Sequence, residues 1–427
     1  MFSPTPPPSN LNIREWIEKD RLYFSPDDPE SFLTMIERII STNGEVDLLG
    51  FGEALHGSEE LLNFRNRIFQ YLVRHHGYSA IAIESSFPRS RLVNEYIHRE
   101  RYRTYEEIKT TGFSHGFGAS HANRDLVEWM RDYNADPLHG IKLRFYGCDS
   151  PTEMTHTDSP RMLLTFVLDY LTSVDPEIGL SFKSRVEPLL MQDSLWENPD
   201  AMMDPTRSLG SSPKAGALRL ETEELITELT MRRPELTEKS GFAKYQEALF
   251  YAGLARQLLT YHAGLAMDRK DRVSRLLGMR DAMIADILTF IVSAEKNRGK
   301  VFVHAHNSHL KYGVSKWQLG PHLLSWWSAG SHLKVLIGSK YQIIGTGVGR
   351  SESHGIGEPE QETLEHLLSN GRESSCIIPT YQGVWHHEKY TENMPIRSGS
   401  KINSTYFPFT HQSINEFDWL MFFDRLG

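Results

Sequence analysis

Short apolar runs that end in ionisable residues alternate with helical patterns along the first part of the chain. The runs Val46–Phe51 and Ser79–Ile83 are followed within three residues by Glu53 and Glu84, respectively. The segment between the two runs has the cap residues and the apolar spacing of a helix. Apolar runs joined by a helix indicate buried parallel strands. The pattern therefore predicts a strand–helix–strand unit with carboxylates at the carboxyl ends of both strands.

The same pattern returns twice further along the chain. Ile141–Gly147 predicts a third strand, with Asp149 at its end, and Lys300–Ala305 predicts a fourth, followed by His306 and His309. Additional strands are predicted at Val335–Ile337, Gln342–Gly347, Ser375–Pro379 and Asp418–Phe423. Between the third and fourth strands, helices are predicted at Met162–Leu171, Ala217–Met231, Gly241–His262 and Val273–Asn297.

These elements predict an α/β fold with a mostly parallel sheet flanked by helices. A large all-helical insertion is expected to form one wall of the active-site cleft, because insertions over the carboxyl edge of a sheet usually shape a pocket. We divide the chain into an N-terminal arm (Met1–Asn10) and helices over 1–45, a first part of the α/β core over 46–156, a helical insertion over 157–298, and a second part of the core over 299–427.

Two arginines lie at the centre of apolar helix faces. Arg65 and Arg280 each have apolar residues three, four and seven positions away along their helices. A buried guanidinium without a carboxylate partner costs several kcal/mol or more, so both residues predict a buried ion network, with Glu53 and Glu84 as the nearest partners for Arg65. The alternative is that both side chains extend off the edges of their apolar faces into solvent.

Several titratable residues are thus expected at one edge of the sheet. They are Glu53 with His56, Glu84, Asp149, His306 with His309, and the two arginines. The glycine- and histidine-rich segment Thr111–His121 is expected to form a loop beside them, which makes His121 a candidate substrate contact. This arrangement suits general acid–base chemistry on water.

Other chemistries compete for the same residues. The histidines, with Glu53 and Glu84, have the atom types of a zinc or manganese site, although their spacing differs from the HExxH helix of zinc proteases. Gly50 and Gly52 after a strand imitate a dinucleotide-binding fingerprint, but Leu55 occupies the position of its third glycine. A serine-nucleophile G-x-S-x-G motif is absent, so a hydrolase here is expected to use water directly. A non-catalytic small-molecule site is the last alternative.

Composition narrows the class of partner. The chain of 427 residues has a net charge of −9, which argues against nucleic acid and anionic membrane surfaces. Its two cysteines fit a reducing compartment. The sequence shows neither a secretory signal pattern nor an apolar run of the ~18 residues that span a bilayer. We therefore expect a cytoplasmic protein, a monomer or weak homo-oligomer, that acts on a small molecule.

Several motifs resemble one known family. GEALHG followed by Arg65, then AIAIES, WMRDYN, FYGCDS, MRDAMIADIL and HAHNSHL, in this order, resemble the erythromycin esterase family, whose members include macrolide-inactivating hydrolases and proteins labelled as succinoglycan biosynthesis proteins. Together the motifs extend from about residue 50 to residue 310. The combination is specific, although each motif alone is modest.

The resemblance implies hydrolysis of the ring ester of a macrolactone, and thus antibiotic inactivation, without a metal or other cofactor. His56 would be the general base, and Glu53 and Glu84 would hold and tune the site. Arg65 would anchor the carboxylates, and Arg280 would complete the network. The resemblance also implies that His306 and His309 contact the substrate or the developing oxyanion, and we expect His121 and Asp149 to help bind substrate.

Overall fold

The structure is a computed structural model. It describes residues 13–42, 44–153, 156–369, 374–380 and 394–427. The arm predicted at Met1–Asn10 lies outside these residues. Among the described residues, none of the helices is both long and apolar enough to cross a membrane.

An eight-stranded sheet forms the centre of the molecule. Its order is β1-β9-β10-β8-β2-β5-β3-β4, and a separate hairpin pairs β6 with β7. The strands are β1 (Leu22–Phe24), β2 (Leu48–Glu53), β3 (Tyr78–Ser86), β4 (Arg144–Asp149), β5 (Lys300–His306), β6 (Val314–Leu319), β7 (His322–Trp327), β8 (Tyr341–Arg350), β9 (Ser375–Pro379) and β10 (Trp419–Arg425). Within the sheet only the pairs that involve β9 are antiparallel, which confirms the predicted mostly parallel sheet.

Helices cover the sheet and fill the long connection between β4 and β5. They are α1 (Ile13–Asp20), α2 (Pro29–Thr42), α3 (Glu59–His76), α4 (Ser90–Ile97), α5 (His121–Ala135), α6 (Arg161–Val174), α7 (Pro176–Leu190), α8 (Asp193–Trp196), α9 (Pro213–Met231), α10 (Arg233–Ser240), α11 (Phe242–Leu265), α12 (Arg272–Glu295), α13 (Asn307–Leu310), α14 (Ala329–Ile337), α15 (Leu364–Ser369) and α16 (Ser413–Glu416). From α6 to α12 the chain contains no strand, as predicted for the insertion.

Helix α3 begins and ends where its cap residues predict. The Ser58 hydroxyl accepts a hydrogen bond from the Leu61 backbone N–H at 3.3 Å, and Gly77 ends the helix with φ +70°. Glycine is favoured there because a side chain would strain this left-handed conformation. These caps fix the point at which the chain leaves β2 and enters β3.

The sequence did not reveal that β5 lies between β2 and β3. Residues Leu48 to Glu53 of β2 pair in register with Val301 to His306 of β5, and β5 also pairs with β3. As a result, the end of β5 lies between Glu53 and Glu84 at the carboxyl edge of the sheet.

One predicted strand is wrong. Val335–Ile337 belongs to α14, which starts after Ser328, whose hydroxyl accepts from the Ser331 N–H at 3.2 Å. Leu333 of this helix is buried, whereas Val335 is 86% exposed. The apolar triplet is therefore the mostly solvent-facing end of a capped helix. Elements that the sequence did not predict include β1, α7 and the β6–β7 hairpin.

Candidate active site

The carboxyl ends of four neighbouring strands bring the ionisable residues together. The neighbouring strands β2, β5, β3 and β4 carry, in this order, Glu53, His306, Glu84 and Asp149. All four side chains are buried, with exposures of 4% or less. Such edges of open α/β sheets bind ligands.

His56 and Glu53 form a hydrogen-bonded pair in the loop after β2. His56 Nδ1 lies 2.5 Å from Glu53 Oε1, and His56 Nε2 lies 3.9 Å from Glu84 Oε1. The loop itself is clamped, because the His56 backbone N–H donates to the Thr405 hydroxyl at 2.9 Å and the Asn403 side-chain amide donates to the His56 carbonyl at 3.0 Å. A carboxylate accepts hydrogen bonds, so Nδ1 carries the proton and Nε2 is left for a ligand.

The surrounding charges make His56 more basic. Burial acts to lower the pKa of His56, but the negative charges of Glu53 and Glu84 outweigh it and raise that pKa above its ordinary value. Burial likewise acts to raise the pKa of Glu53, yet His56 and His304 hold it well below its usual range. An ionised carboxylate that orients a basic imidazole is the arrangement of a general base.

Arg280 of α12 bridges two strand ends, as the buried ion network predicts. Its Nε lies 3.0 Å from Asp149 Oδ1, and its Nη2 lies 2.7 Å from Asp149 Oδ2 and 3.0 Å from Glu84 Oε1. Asp149 is completely buried and also accepts from His115 Nε2 at 2.9 Å. Asp149 therefore supports its neighbours, and it is not in the lining of the cavity that His56 faces.

His309 is a buried cation between two carboxylates. Its Nδ1 lies 2.5 Å from Asp281 Oδ1, and its Nε2 lies 3.3 Å from Glu84 Oε1. Burial acts to lower the pKa of His309, but Asp281 and Glu84 raise it to about 10. Because both ring nitrogens are already engaged, the predicted contact of His309 with substrate is not what the structure shows.

His306 is held as a neutral ring. Its Nε2 donates to the Thr405 carbonyl at 2.9 Å, its Nδ1 accepts from the Ser308 N–H at 3.1 Å, and its backbone N–H donates to Glu84 at 2.7 Å. Burial and the nearby His56 lower its pKa to about 4. These bonds leave no free ring N–H for an oxyanion, so His306 holds Glu84 and the Thr405 segment in place.

Arg65 is buried as predicted, but its direct partners are amides. Its Nε and Nη2 donate to Asn66 Oδ1 at 3.1 and 2.6 Å, and Nη2 also donates to Asn123 Oδ1 at 2.9 Å. Burial lowers its pKa to about 10, while Glu53 and Glu59 act against that shift from a distance. The expected ion pair with Glu53 or Glu84 is therefore wrong: amide oxygens compensate the guanidinium, and Nη1 makes no hydrogen bond to any described residue.

Some of these side chains line a cavity of about 320 Å³. Its lining includes the candidate residues Glu53, His56, Arg65 and Glu84, together with three residues that the sequence did not single out, which are His115, Phe117 and His304. No described residue of the helical insertion is in this lining. The insertion contributes the ion pairs of Arg280 and Asp281 to the site, and its role as one wall of the active-site cleft stays a prediction.

The glycine-rich loop supplies a different histidine from the predicted one. His121 is exposed, and its backbone N–H donates to Glu59 at 3.0 Å where α5 begins, so its side chain is not brought to the cavity. His115 from the same loop lines the cavity instead. Sequence position alone could not separate the two residues, because the loop has no regular period.

His304 had a usable signal in the sequence. His304 and His306 alternate in β5 and so point to the same face of the strand. His304 Nδ1 donates to the Phe51 carbonyl at 2.9 Å, and its Nε2 lies 3.3 Å from Glu53 Oε2. His304 therefore faces the second oxygen of the carboxylate that orients His56.

The donor set could also hold a cation. Ligand atoms of Glu53, His56 and Glu84 all lie within 4.8 Å of one another, and their types suit zinc or manganese. Glu84 already receives Arg280 and the imidazolium of His309. A bound metal would have to compete with these two cations for that carboxylate.

Comparisons with known proteins give consistent matches to one family. The sequence profile described as erythromycin esterase matches residues 73–426. Erythromycin esterase type II of Escherichia coli is 23% identical over 339 residues, which are 78% of this chain and 77% of that protein.

Three solved structures share the fold along nearly the whole chain. A Bacillus cereus protein has a TM-score of 0.70 at 17% identity and covers 97% of each chain. A succinoglycan biosynthesis protein has a TM-score of 0.69 at 20% identity, covering 97% of this chain and 96% of its own. A mutant of the erythromycin esterase EreC in an open conformation has a TM-score of 0.66 at 18% identity, covering 96% of this chain and 97% of its own.

The family assignment rests on most of the chain and confirms the resemblance seen in the motifs. The family and the named relative support a carboxylic ester hydrolase over the non-catalytic alternative. The chain belongs to the erythromycin esterase family and is a carboxylic ester hydrolase.

Proposed function

We propose that this enzyme opens the ring ester of a macrolide-type macrolactone with water activated by His56, without a metal, and thereby inactivates the antibiotic. The observation that carries the mechanism is the His56–Glu53 pair, with a separation of 2.5 Å and a free Nε2 at the cavity. The substrate follows from the relatives, two of which are named erythromycin esterases.

In the proposed reaction, His56 Nε2 takes a proton from water as the water oxygen attacks the ester carbonyl carbon. Glu53 keeps the ring in the correct tautomer and stabilises the imidazolium that forms. Negative charge then develops on the former carbonyl oxygen. Arg65 is the proposed donor to this oxyanion, since its guanidinium lines the cavity and its Nη1 has no hydrogen-bond partner among the described residues.

The cavity limits how the substrate binds. A volume of about 320 Å³ lies at the lower end of the roughly 300–1,000 Å³ typical of small-molecule sites. We propose that the ester and its adjoining ring atoms enter this space, while the sugars of a macrolide remain outside. The net charge of −9 favours a cationic amino sugar.

The compartment and the oligomeric state of the enzyme are also part of what we propose. We propose a cytoplasmic monomer or weak homo-oligomer that takes a small-molecule substrate and no cofactor. Cys148 and Cys376 are both buried and free, as a reducing compartment allows.

Mass spectrometry of macrolides of two ring sizes tests the function directly. We expect purified enzyme to add one water, about 18 Da, to at least one of them, and we expect His56→Asn to abolish that gain. His121→Asn is the matched control, because this exposed histidine lies outside the cavity. A wild-type enzyme that leaves every macrolide unchanged refutes the substrate, and an active His56→Asn variant refutes the base.

One observation favours a second candidate, a metal-dependent hydrolase that acts on another ester. The close approach of ligand atoms from Glu53, His56 and Glu84 is the reason to retain it. In that case the metal would supply Lewis-acid activation of water, and these three residues would hold it.

A further inference from the structure

A second histidine–carboxylate pair faces the same cavity as His56. His115 and His56 both line the cavity, and the ring of Phe117 packs against both histidines. The Phe117 centroid is 5.2 Å from that of His115 and 5.6 Å from that of His56. An ester bound in this cavity thus has both His56 and His115 in the walls around it.

The His115 ring is oriented as firmly as the His56 ring. His115 Nε2 lies 2.9 Å from Asp149 Oδ2, and Asp149 is in turn fixed by Arg280 through both of its oxygens. Arg280 Nη2 lies 3.5 Å from the same ring nitrogen. Since the Asp149 carboxylate can only accept, Nε2 carries a proton and donates it to Asp149.

The other ring nitrogen of His115 is left for a ligand. Nδ1 makes no hydrogen bond to any described residue, and the nearest carboxylate oxygen is Glu153 Oε2 at 3.7 Å. The other oxygen of Glu153 accepts the backbone N–H of His115 at 2.8 Å. Each ring nitrogen of His115 therefore has a carboxylate beside it, Asp149 at Nε2 and Glu153 near Nδ1.

The backbone at His115 is held in an uncommon conformation. Its φ is +54°, and Gly116 follows at +69°. A left-handed conformation is unfavourable for a non-glycine residue and persists only where the surroundings enforce it. Here the preceding residue, Ser114, receives the Ser86 N–H on its hydroxyl and donates its own N–H to the Ser85 hydroxyl, both at 2.9 Å. The loop is thus tied to the end of β3 in the conformation that directs His115 to the cavity.

We propose that His115 is the general acid that protonates the leaving alkoxide, an inference that rests on the proposed ester hydrolysis. As the tetrahedral intermediate collapses, the bond from carbon to the alkoxide oxygen breaks and its electron pair stays on that oxygen. This oxygen takes the proton from His115 Nδ1 and leaves as an alcohol. His56 then holds the proton taken from water, and exchange through solvent returns both histidines to their starting states, so the net change is ester plus water to acid plus alcohol.

Paired esters that share an acyl group test this assignment. Aryl esters expel a weakly basic phenolate that needs no proton, whereas alkyl esters and macrolactones expel a strongly basic alkoxide. We expect His115→Asn to lower kcat/KM for the alkyl ester and the macrolactone about 100-fold or more and to lower that for the aryl ester far less. Asparagine is suited to the substitution because it tolerates positive φ.

His121→Asn, in the same loop but outside the cavity, serves as the matched control and should change neither rate. If His115→Asn lowers kcat/KM for both kinds of ester equally, or for neither, the general-acid role is overturned while the proposed hydrolase function is unaffected. A wild-type enzyme that cleaves no macrolactone and no alkyl ester refutes the proposed function itself and the acid role with it.

If a melting experiment shows that the His115→Asn variant does not fold, measurements on the wild-type enzyme alone test the proposal. Its kcat/KM is measured over a series of alkyl esters whose alcohols differ in pKa. A general acid makes the rate nearly independent of the alcohol, and a steep fall with rising alcohol pKa overturns the proposal.

Discussion

Replacing Arg280 with methionine tests whether the buried ion network stabilises the fold. Methionine resembles the arginine stem in size, but it removes the charge and the bonds to Asp149 and Glu84. Arg280 is 5% exposed, Glu84 3% and Asp149 0%, so solvent screens these interactions little. Removing one partner of such a buried pair costs about 3–5 kcal/mol. Since His115 and His309 still face the two carboxylates, we expect the lower end, about 3 kcal/mol.

The loss should depend on pH in a definite direction. Burial acts to raise the pKa of Asp149 and Glu84, but the neighbouring cations hold both below the ordinary value. Carboxyls whose pKa is lowered by folding contribute their full stabilisation above the unfolded value of about 4, and this contribution is lost as the pH falls further. The Arg280→Met variant has less of this contribution to lose. The difference between its free energy of unfolding and that of the wild type should therefore be largest near neutral pH and should become smaller as the pH falls.

Urea unfolding at about pH 7 and about pH 2.5, which lies below the unfolded pKa of these carboxyls, measures both effects as differences in the free energy of unfolding. Arg275→Met is the matched control, because Arg275 lies on the same helix and is exposed. Its substitution should change the free energy of unfolding by less than about 0.5 kcal/mol. If Arg280→Met costs no more than the control, or if its deficit is the same at both pH values, the reasoning about buried charge fails.

Two further predictions concern the chemistry of the site. Glu53→Gln removes a charge that raises the pKa of His56, so the rising limb of kcat/KM against pH should move to lower pH while the plateau falls; an unmoved limb would show that another group titrates. EDTA should leave wild-type turnover unchanged; a loss restored by zinc or manganese would instead place a metal on Glu53, His56 and Glu84.

The spacing of apolar residues and the helix cap residues were sufficient to predict much of the fold. The α3 helix, with Ser58 and Gly77 at its ends, and the strands of the parallel sheet follow from local signals. Strand order did not follow, because pairing of β5 between β2 and β3 is a long-range contact with no local signature. The misassigned Val335–Ile337 shows the same limit, since three apolar residues suit a strand or a helix end equally well.

The sequence predicted the residues of the candidate site better than it predicted their contacts. Arg65 and Arg280 stood out because charge on an apolar helix face is rare, and both are buried. Their partners could not be inferred in the same way: Arg65 is bonded to Asn66 and Asn123, which are neutral and carry no such signal. His115 was missed because the conformation of its loop depends on hydrogen bonds to β3.

The central claim is that His56 activates water for direct attack on the ester carbonyl. A single turnover in ¹⁸O-labelled water, with enzyme in excess over macrolactone, tests it most directly. We expect one labelled oxygen in the carboxylate of the product and none in the enzyme. Label in the side chain of Glu53 or Glu84, found by peptide mass spectrometry, would mean that a carboxylate attacks the ester first, and it would contradict the claim.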